Sequence, residues 1–283
     1  MSLHSTVIDG HTVAADVSLR DGDLRPPVVF LPGVLTSPVI GDMLRAAVPD
    51  RSWIGVSLPG HAPGHFGAAG PPTITAESFS VPVERILGEI VGDRPVVVVG
   101  WSLGGFSALA LAVHHPKRVA AVASLAGIAR GGVRGITGKI ARLARIPVIR
   151  SAVTTGLRLA GSWPRLHRFV AEACTAKTKG SIPAAILATM HTDYRRHDPR
   201  ATAAVMAAVP DLDIMPLLGG ITVPTWIAGG QFDPIVPLAE SKRIADSIPG
   251  ATLKVYRDAG HMFFCEWPGV ERDFAAWLDR ATG

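Results

Sequence analysis

The sequence predicts an α/β fold: a mostly parallel central sheet flanked by helices, with a helical cap inserted after the strand near 119–125. Three observations predict it. Short β-rich runs alternate with helical runs from about residue 28 onward, the pattern of βα units. That alternation stops near Gly127 and resumes near 225. One apolar run, 96–99, leads through Gly100-Trp101-Ser102-Leu103-Gly104 straight into a helical run at 105–114.

Taken in order, 6–8 and 12–19 are two short strands joined by Asp9-Gly10, a hairpin-type turn. The run 28–31 is a buried strand that enters a loop at Pro32-Gly33. Helical patterning at 43–48 is followed by a strand at 53–58, stopped by Pro59-Gly60. The Gly- and Pro-rich stretch 61–72 is a loop. Helical periodicity covers 76–91, interrupted early by Pro82. Another strand occupies 119–125. From 128 to 216 the pattern is helical, basic and punctuated by Gly and Pro, with no obvious buried strand. A strand at 225–228, a helix at 238–248, a strand at 252–256 and a helix at 270–280 complete the chain. The expected division is a core of 1–127 and 217–283 with a cap of 128–216. An insert between strands of a continuing sheet lies over the carboxyl-end crevice, where open α/β sheets bind ligands.

The chain has 283 residues and 48% apolar content, enough for a large buried core and incompatible with disorder. The first ten residues lack a basic segment followed by an apolar one, so no signal peptide is expected. The apolar stretch 95–113 approaches membrane-spanning length, but Gly100, Ser102, Gly104, Gly105 and Ser107 mark it as a buried strand plus helix. Two cysteines, Cys174 and Cys265, provide neither a disulfide framework nor metal-ligand spacing. A cytoplasmic location is expected. Between Arg130 and Arg200 fourteen Lys and Arg face three acids, Glu172, Asp193 and Asp198. That segment carries +11, which leaves −6 for the rest of a chain whose total is +5. Such a basic insert suits an anionic substrate, a phosphate-bearing acyl carrier or an anionic membrane, and equally a solvated outer face.

A strand, a Gly-X-Ser-X-Gly turn and a helix together make a nucleophile elbow. The elbow exposes its serine at the carboxyl end of a strand, and the next N–H, that of Leu103, points at an oxyanion formed above it. A serine hydroxyl is a weak nucleophile at neutral pH and needs a base, and the base needs a partner to fix its tautomer. Two loops that leave the carboxyl ends of later strands supply candidates: Gly229-Gly230-Gln231-Phe232-Asp233 and Arg257-Asp258-Ala259-Gly260-His261. Asp233 is the candidate acid, with helix capping and a role for Asp258 as the alternatives. His261 is the candidate base. His114 and His115 suit a helix C-terminus. His61 and His65 are expected in a solvated loop near the mouth of the site, with substrate contact as the alternative. His191 and His197 are too widely spaced for a metal site, and no metal or cofactor is called for.

The order Ser102, Asp233, His261 and the loops that carry them resemble the α/β-hydrolase family, here with an inserted cap. The likeness runs from about Val28 to Ala281 and is weakest in the insert. It is most specific in Ile221-Thr222-Val223-Pro224-Thr225, Gly230-Gln231-Phe232-Asp233-Pro234-Ile235-Val236-Pro237 and Ala259-Gly260-His261. The resemblance implies Ser102 as nucleophile, Asp233 as acid and His261 as base. It also implies a second oxyanion donor after the strand 28–31, where similar proteins carry His-Gly and this chain has Pro32-Gly33. Gly33 matches. The Val34 N–H is the expected donor and that of Leu35 the second choice. Ser57-Leu58-Pro59-Gly60-His61-Ala62 resembles the family's Asp-X-Pro-Gly-His-Gly loop, with Ser57 and Ala62 as departures, and is expected to be structural.

Candidate substrate contacts are Gly33, Leu35, Trp101, Phe232 and Met262, with Trp101 foremost, although large apolar side chains in such places also serve the core. The expected activity is a serine hydrolase acting on a carboxylic ester or thioester. The same triad serves acyltransferases and carbon–carbon bond hydrolases, and a slow-turnover ligand receptor is the non-enzymatic alternative. The expected partner is a small acyl substrate, anionic or carrier-bound, and not a nucleic acid. The basic amphipathic stretch 135–161 keeps a membrane contact open as the less favoured alternative.

Overall fold

The computed structural model describes residues 2–131, 133–176 and 182–283. Lys177 and Lys179, part of the basic segment, lie outside them. In chain order the strands are β1 Ser2–Ile8, β2 His11–Ser18, β3 Val28–Leu31, β4 Trp53–Val56, β5 Val96–Trp101, β6 Val119–Leu125, β7 Thr225–Gly230 and β8 Thr252–Tyr256. The helices of the core are α1 Asp42–Ala46, α2 Val81–Val91 and α3 Leu103–His114, then α9 Leu238–Ser247, α10 Phe263–Glu266 and α11 Val270–Thr282. Between β6 and β7 stand α4 Gly135–Leu143, α5 Pro147–Ser162, α6 Pro164–Glu172, α7 Ala184–Tyr194 and α8 Pro199–Ala208.

One sheet in the order β1-β2-β4-β3-β5-β6-β7-β8 organises the core. The pairs β1/β2 and β2/β4 are antiparallel, and all others are parallel. Asp9 and Gly10 both have positive φ, as the tight β1–β2 hairpin requires. β5 lies in the middle and every residue of it is buried, which is why its sequence is a continuous Val run rather than an alternation.

Two apolar layers cover the sheet. Val83, Ile86 and Leu87 of α2, Phe106 and Leu109 of α3 and Ile244 of α9 pack on one face. Leu44 of α1 and Val270, Phe274, Trp277 and Leu278 of α11 pack on the other. The four α11 residues recur at helical spacing, with Glu271 and Asp273 in the first turn and Arg280 in the last, matching the helix dipole. Pro82 falls in the first turn of α2, where its missing N–H costs nothing, so 76–91 divides into a short 3₁₀ turn at Glu77–Phe79 and a regular helix.

The insertion is helical, as its pattern predicts, and its basic stretch 135–161 is divided into α4 and α5, with Pro147 opening the second helix. It is not packed apart from the core. Val205 of α8 and the following Val209, Leu212 and Ile214 join one core layer, while Ala171, Ile182, Leu187 and Met190 join the other beside Trp101 and Phe264. Among the described residues no helix is long and apolar enough to cross a membrane.

Candidate active site

The sharp turn after β5 places Ser102 at the sheet's carboxyl edge. Ser102 has φ 58°, a left-handed conformation that a side-chain-bearing residue adopts only when its surroundings hold it. Its N–H donates to the Leu125 carbonyl at 2.9 Å, and its carbonyl accepts from Gly105 at the start of α3. Close approach makes the flanking glycines obligatory. A Cβ on Gly104 would stand 2.0 Å from the Leu31 carbonyl oxygen. One on Gly33 would stand 2.9 Å from the Trp101 ring and 3.1 Å from the Ser102 Cβ. The loop after β3 therefore lies directly against the nucleophile.

His261 arrives on the loop after β8 and Asp233 on the loop after β7. His261 Nε2 is 2.9 Å from Ser102 Oγ, and His261 Nδ1 is 2.7 Å from Asp233 Oδ2. The carboxylate only accepts, so Nδ1 carries the proton and Nε2 is free to accept from the serine hydroxyl. The other carboxylate oxygen, Oδ1, accepts the N–H groups of Ile235 and Val236, both at 2.8 Å. Three hydrogen bonds hold Asp233, and it does not cap α9, whose N-cap is Pro237. Asp258 is exposed on its own turn and takes no part. All three members are covered: Ser102 and Asp233 are 9% exposed and His261 3%. In this low-dielectric setting each hydrogen bond counts for more than it would in water.

The insertion closes over this edge. The His261 N–H donates to the Cys174 carbonyl at 2.9 Å. The Glu266 carboxylate accepts from Gly260 at 2.9 Å and from Ala176 at 2.7 Å, so one side chain ties the base's loop to the end of α6. On the far side, the Ser37 hydroxyl donates to Asp193 of α7. Neither Glu266 nor Cys174 is signalled by the sequence, because their roles depend on where the insertion lands.

The remaining candidates divide. Trp101 is buried; its indole N–H donates to the His261 carbonyl at 3.0 Å and its ring lies 5.3 Å from the imidazole. It backs both the nucleophile and the base. Val34 is half-buried, and its N–H and that of Leu103 carry no hydrogen bond among the described residues. The Leu35 N–H is taken by His61 Nε2 at 3.2 Å, which removes it as an oxyanion donor. Met262 is 1% exposed and packs in the apolar layer with Tyr256 and Phe263. Phe232 is 55% exposed, its N–H bonded to the Ala259 carbonyl.

One expectation is corrected. His61 is not in a solvated loop but wholly buried, and desolvation lowers its pKa to about 4. His65 is exposed and pairs with Thr12 through backbone. A cavity of about 610 Å³ between Arg130, Asp213 and Arg243 holds no triad member, so hydrogen-bond geometry and not cavity size places the site.

The family described as alpha/beta hydrolase fold matches residues 26–268. A pimeloyl-[acyl-carrier protein] methyl ester esterase of Aromatoleum aromaticum is 28% identical over 266 residues, covering 86% of this chain and 94% of that one. A 2-hydroxy-6-oxononadienedioate/2-hydroxy-6-oxononatrienedioate hydrolase of Klebsiella pneumoniae is 27% identical over 191 residues, 65% of this chain and 62% of that one. Among solved structures, a thermophilic esterase from Thermogutta terrifontis with malate bound superposes over the full length of both chains, with a TM-score of 0.74 and 20% identity, a likeness of fold.

Proposed function

Since the chain belongs to the α/β-hydrolase fold family, we propose that it cleaves a carboxylic ester or thioester through an acyl-enzyme on Ser102. The unbroken hydrogen-bonded line from Asp233 through His261 to Ser102 carries this conclusion. Ser102 Oγ attacks the acyl carbon while His261 Nε2 takes its proton. Asp233 stabilises the resulting imidazolium without itself being protonated. The tetrahedral oxyanion is received by the N–H groups of Leu103 and Val34. Among the described residues neither has another partner, and this and the close approach of Gly33 to Ser102 support the role. His261 then protonates the leaving group, and a water activated by the same nitrogen releases the acid. Gly33, Leu35, Trp101, Phe232 and Met262 are the proposed substrate-side residues, and the close approach of Gly33 to Trp101 and Ser102 supports the first of them.

The segment 128–216 serves as a cap domain over a core of 1–127 and 217–283, and the ties of Cys174 and Ala176 to the base's loop support that role. The acyl group is presented on a negatively charged carrier. Two observations support this. The similar Aromatoleum aromaticum protein is named for an acyl-carrier-protein ester. A groove of about 420 Å³ between α5 and α8 is lined by Arg150, Arg158 and Arg200 together with Ser151 and Thr155, with no acidic residue in its lining. Two free thiols, Cys174 and Cys265, suit the reducing cytoplasm.

The test compares turnover of short p-nitrophenyl esters with that of a methyl ester of a carrier-bound acyl chain. Both are hydrolysed on this account. The carrier-bound substrate alone loses kcat/KM, by about tenfold, when salt is raised or when Arg158 and Arg200 are changed to alanine. Absence of turnover with every ester would remove the hydrolase assignment. Equal salt response for both substrates would remove the carrier.

A further inference from the structure

The Ser57–Ala62 loop contributes a second buried histidine that the hydrolytic chain does not use. His61 Nε2 faces the Leu35 N–H at 3.2 Å, and Nδ1 faces the Pro59 carbonyl at 3.0 Å. A carbonyl only accepts and a backbone N–H only donates, so both partners demand one neutral tautomer, with the proton on Nδ1 and the lone pair on Nε2. Desolvation, which lowers the pKa to about 4, keeps the ring in that form at neutral pH.

Leu35 has φ 67°, a left-handed conformation costing about 1–3 kcal/mol for a residue of this kind. It persists only if its surroundings hold it, and Val34 is held from both sides. The Gly33 carbonyl, in the same peptide plane as the Val34 N–H, accepts from the Thr36 N–H and hydroxyl at 3.3 and 2.8 Å. The next plane is held by His61 alone among the described residues. His61 is itself seated by the insertion. The ring of His197, between α7 and α8, lies 5.0 Å from it, and His197 Nδ1 accepts the Ala62 N–H at 3.0 Å.

We infer that His61 is a positioning residue for hydrolysis. Its Nε2 fixes the Val34–Leu35 peptide so that the Val34 N–H stays aimed at the oxyanion, and His197 conveys the seating of the insertion to that loop. The inference rests on Val34 as the second oxyanion donor.

His61→Leu, His61→Gln and a protein carrying the α-hydroxy acid in place of Val34 test it. His61→Leu lowers kcat about 10²-fold with KM within about twofold, and weakens a trifluoromethyl ketone inhibitor by the same factor. His61→Gln, whose carbonyl oxygen accepts from Leu35, recovers most of the loss. If His61→Leu folds poorly, the α-hydroxy acid at Leu35 removes the donor instead, and the same loss is expected. The inference is overturned if the altered contact leaves kcat within about threefold of the parent, if glutamine gives no recovery, or if the loss falls on KM. Failure of the underlying donor assignment is distinct: the α-hydroxy acid at Val34 would then leave kcat unchanged.

Discussion

Every residue from 96 to 112, through β5 and most of α3, is buried, with valines, leucines, Trp101 and Phe106 packed among glycine, alanine and serine. Across α4 and α5 the buried positions are small: Gly138, Ala141, Ala144, Thr154, Ala160 and Gly161. Leu143, Ile146, Val148 and Leu159 of the same region are at least 46% exposed. The first region fixes where the nucleophile must be, because its side chains admit one packing. The second region is built from amphipathic helices that pack mainly against α8 and present arginines and apolar tips to solvent. Chemistry is anchored in the rigid region, and the insertion reaches it through a few polar ties: Cys174, Ala176, His197 and Asp193.

That contrast can be broken at either end. The largest expected effect is on the rigid side. Asp233→Asn keeps the shape but no longer holds the tautomer of His261, and kcat falls about 10⁴-fold with the melting temperature nearly unchanged. Stopped-flow or steady-state ester hydrolysis reads the loss. Packing should separate the two regions next. Leu109→Ala, at a wholly buried position of α3, costs about 2–5 kcal/mol in urea unfolding. Leu159→Ala on the insertion changes stability by no more than about 0.5 kcal/mol. Equal losses would mean that the insertion is as tightly specified as the core.

A further effect concerns the seam between the regions and appears as pH dependence. Desolvation lowers the pKa of His61 to about 4 and of His197 to about 3. Their stabilisation is complete above the unfolded-state value near 6.5. As pH falls below that value the unfolded chain takes up protons that the folded one refuses. Each histidine then removes about 1.4 kcal/mol of stability per pH unit until its folded pKa is reached. The raised carboxyls of Asp16 and Asp42 act in the opposite sense as they protonate. Thermal melts from pH 7 to pH 5 should therefore show a falling midpoint, with a shallower slope for His197→Asn. An unchanged slope in His197→Asn would remove that histidine from the pH response.

The sequence reveals most of the rigid region. The apolar runs at 28–31, 96–99 and 119–125 become buried neighbours in one sheet, and the Ser, Asp and His loops leave the carboxyl ends of β5, β7 and β8 in the order the sequence implies. Local pattern is enough there because each run has a single face, or both faces, to bury. His61 defeats the same approach. It sits in a Gly- and Pro-rich stretch that looks solvated, and its burial depends on His197, 136 positions away along the chain. Glu266 is hidden for a related reason: its two acceptor oxygens meet N–H groups at Gly260 and Ala176, and the second exists as a partner only once α6 has docked. Long-range polar contacts leave no periodicity to find.

The central claim, an activated serine at 102, is tested most directly by intact-protein mass after exposure to a fluorophosphonate. One adduct is expected, located on Ser102, with ester hydrolysis lost in proportion and no adduct on Ser102→Ala. An unlabelled protein, or an adduct elsewhere while hydrolysis persists, would contradict it.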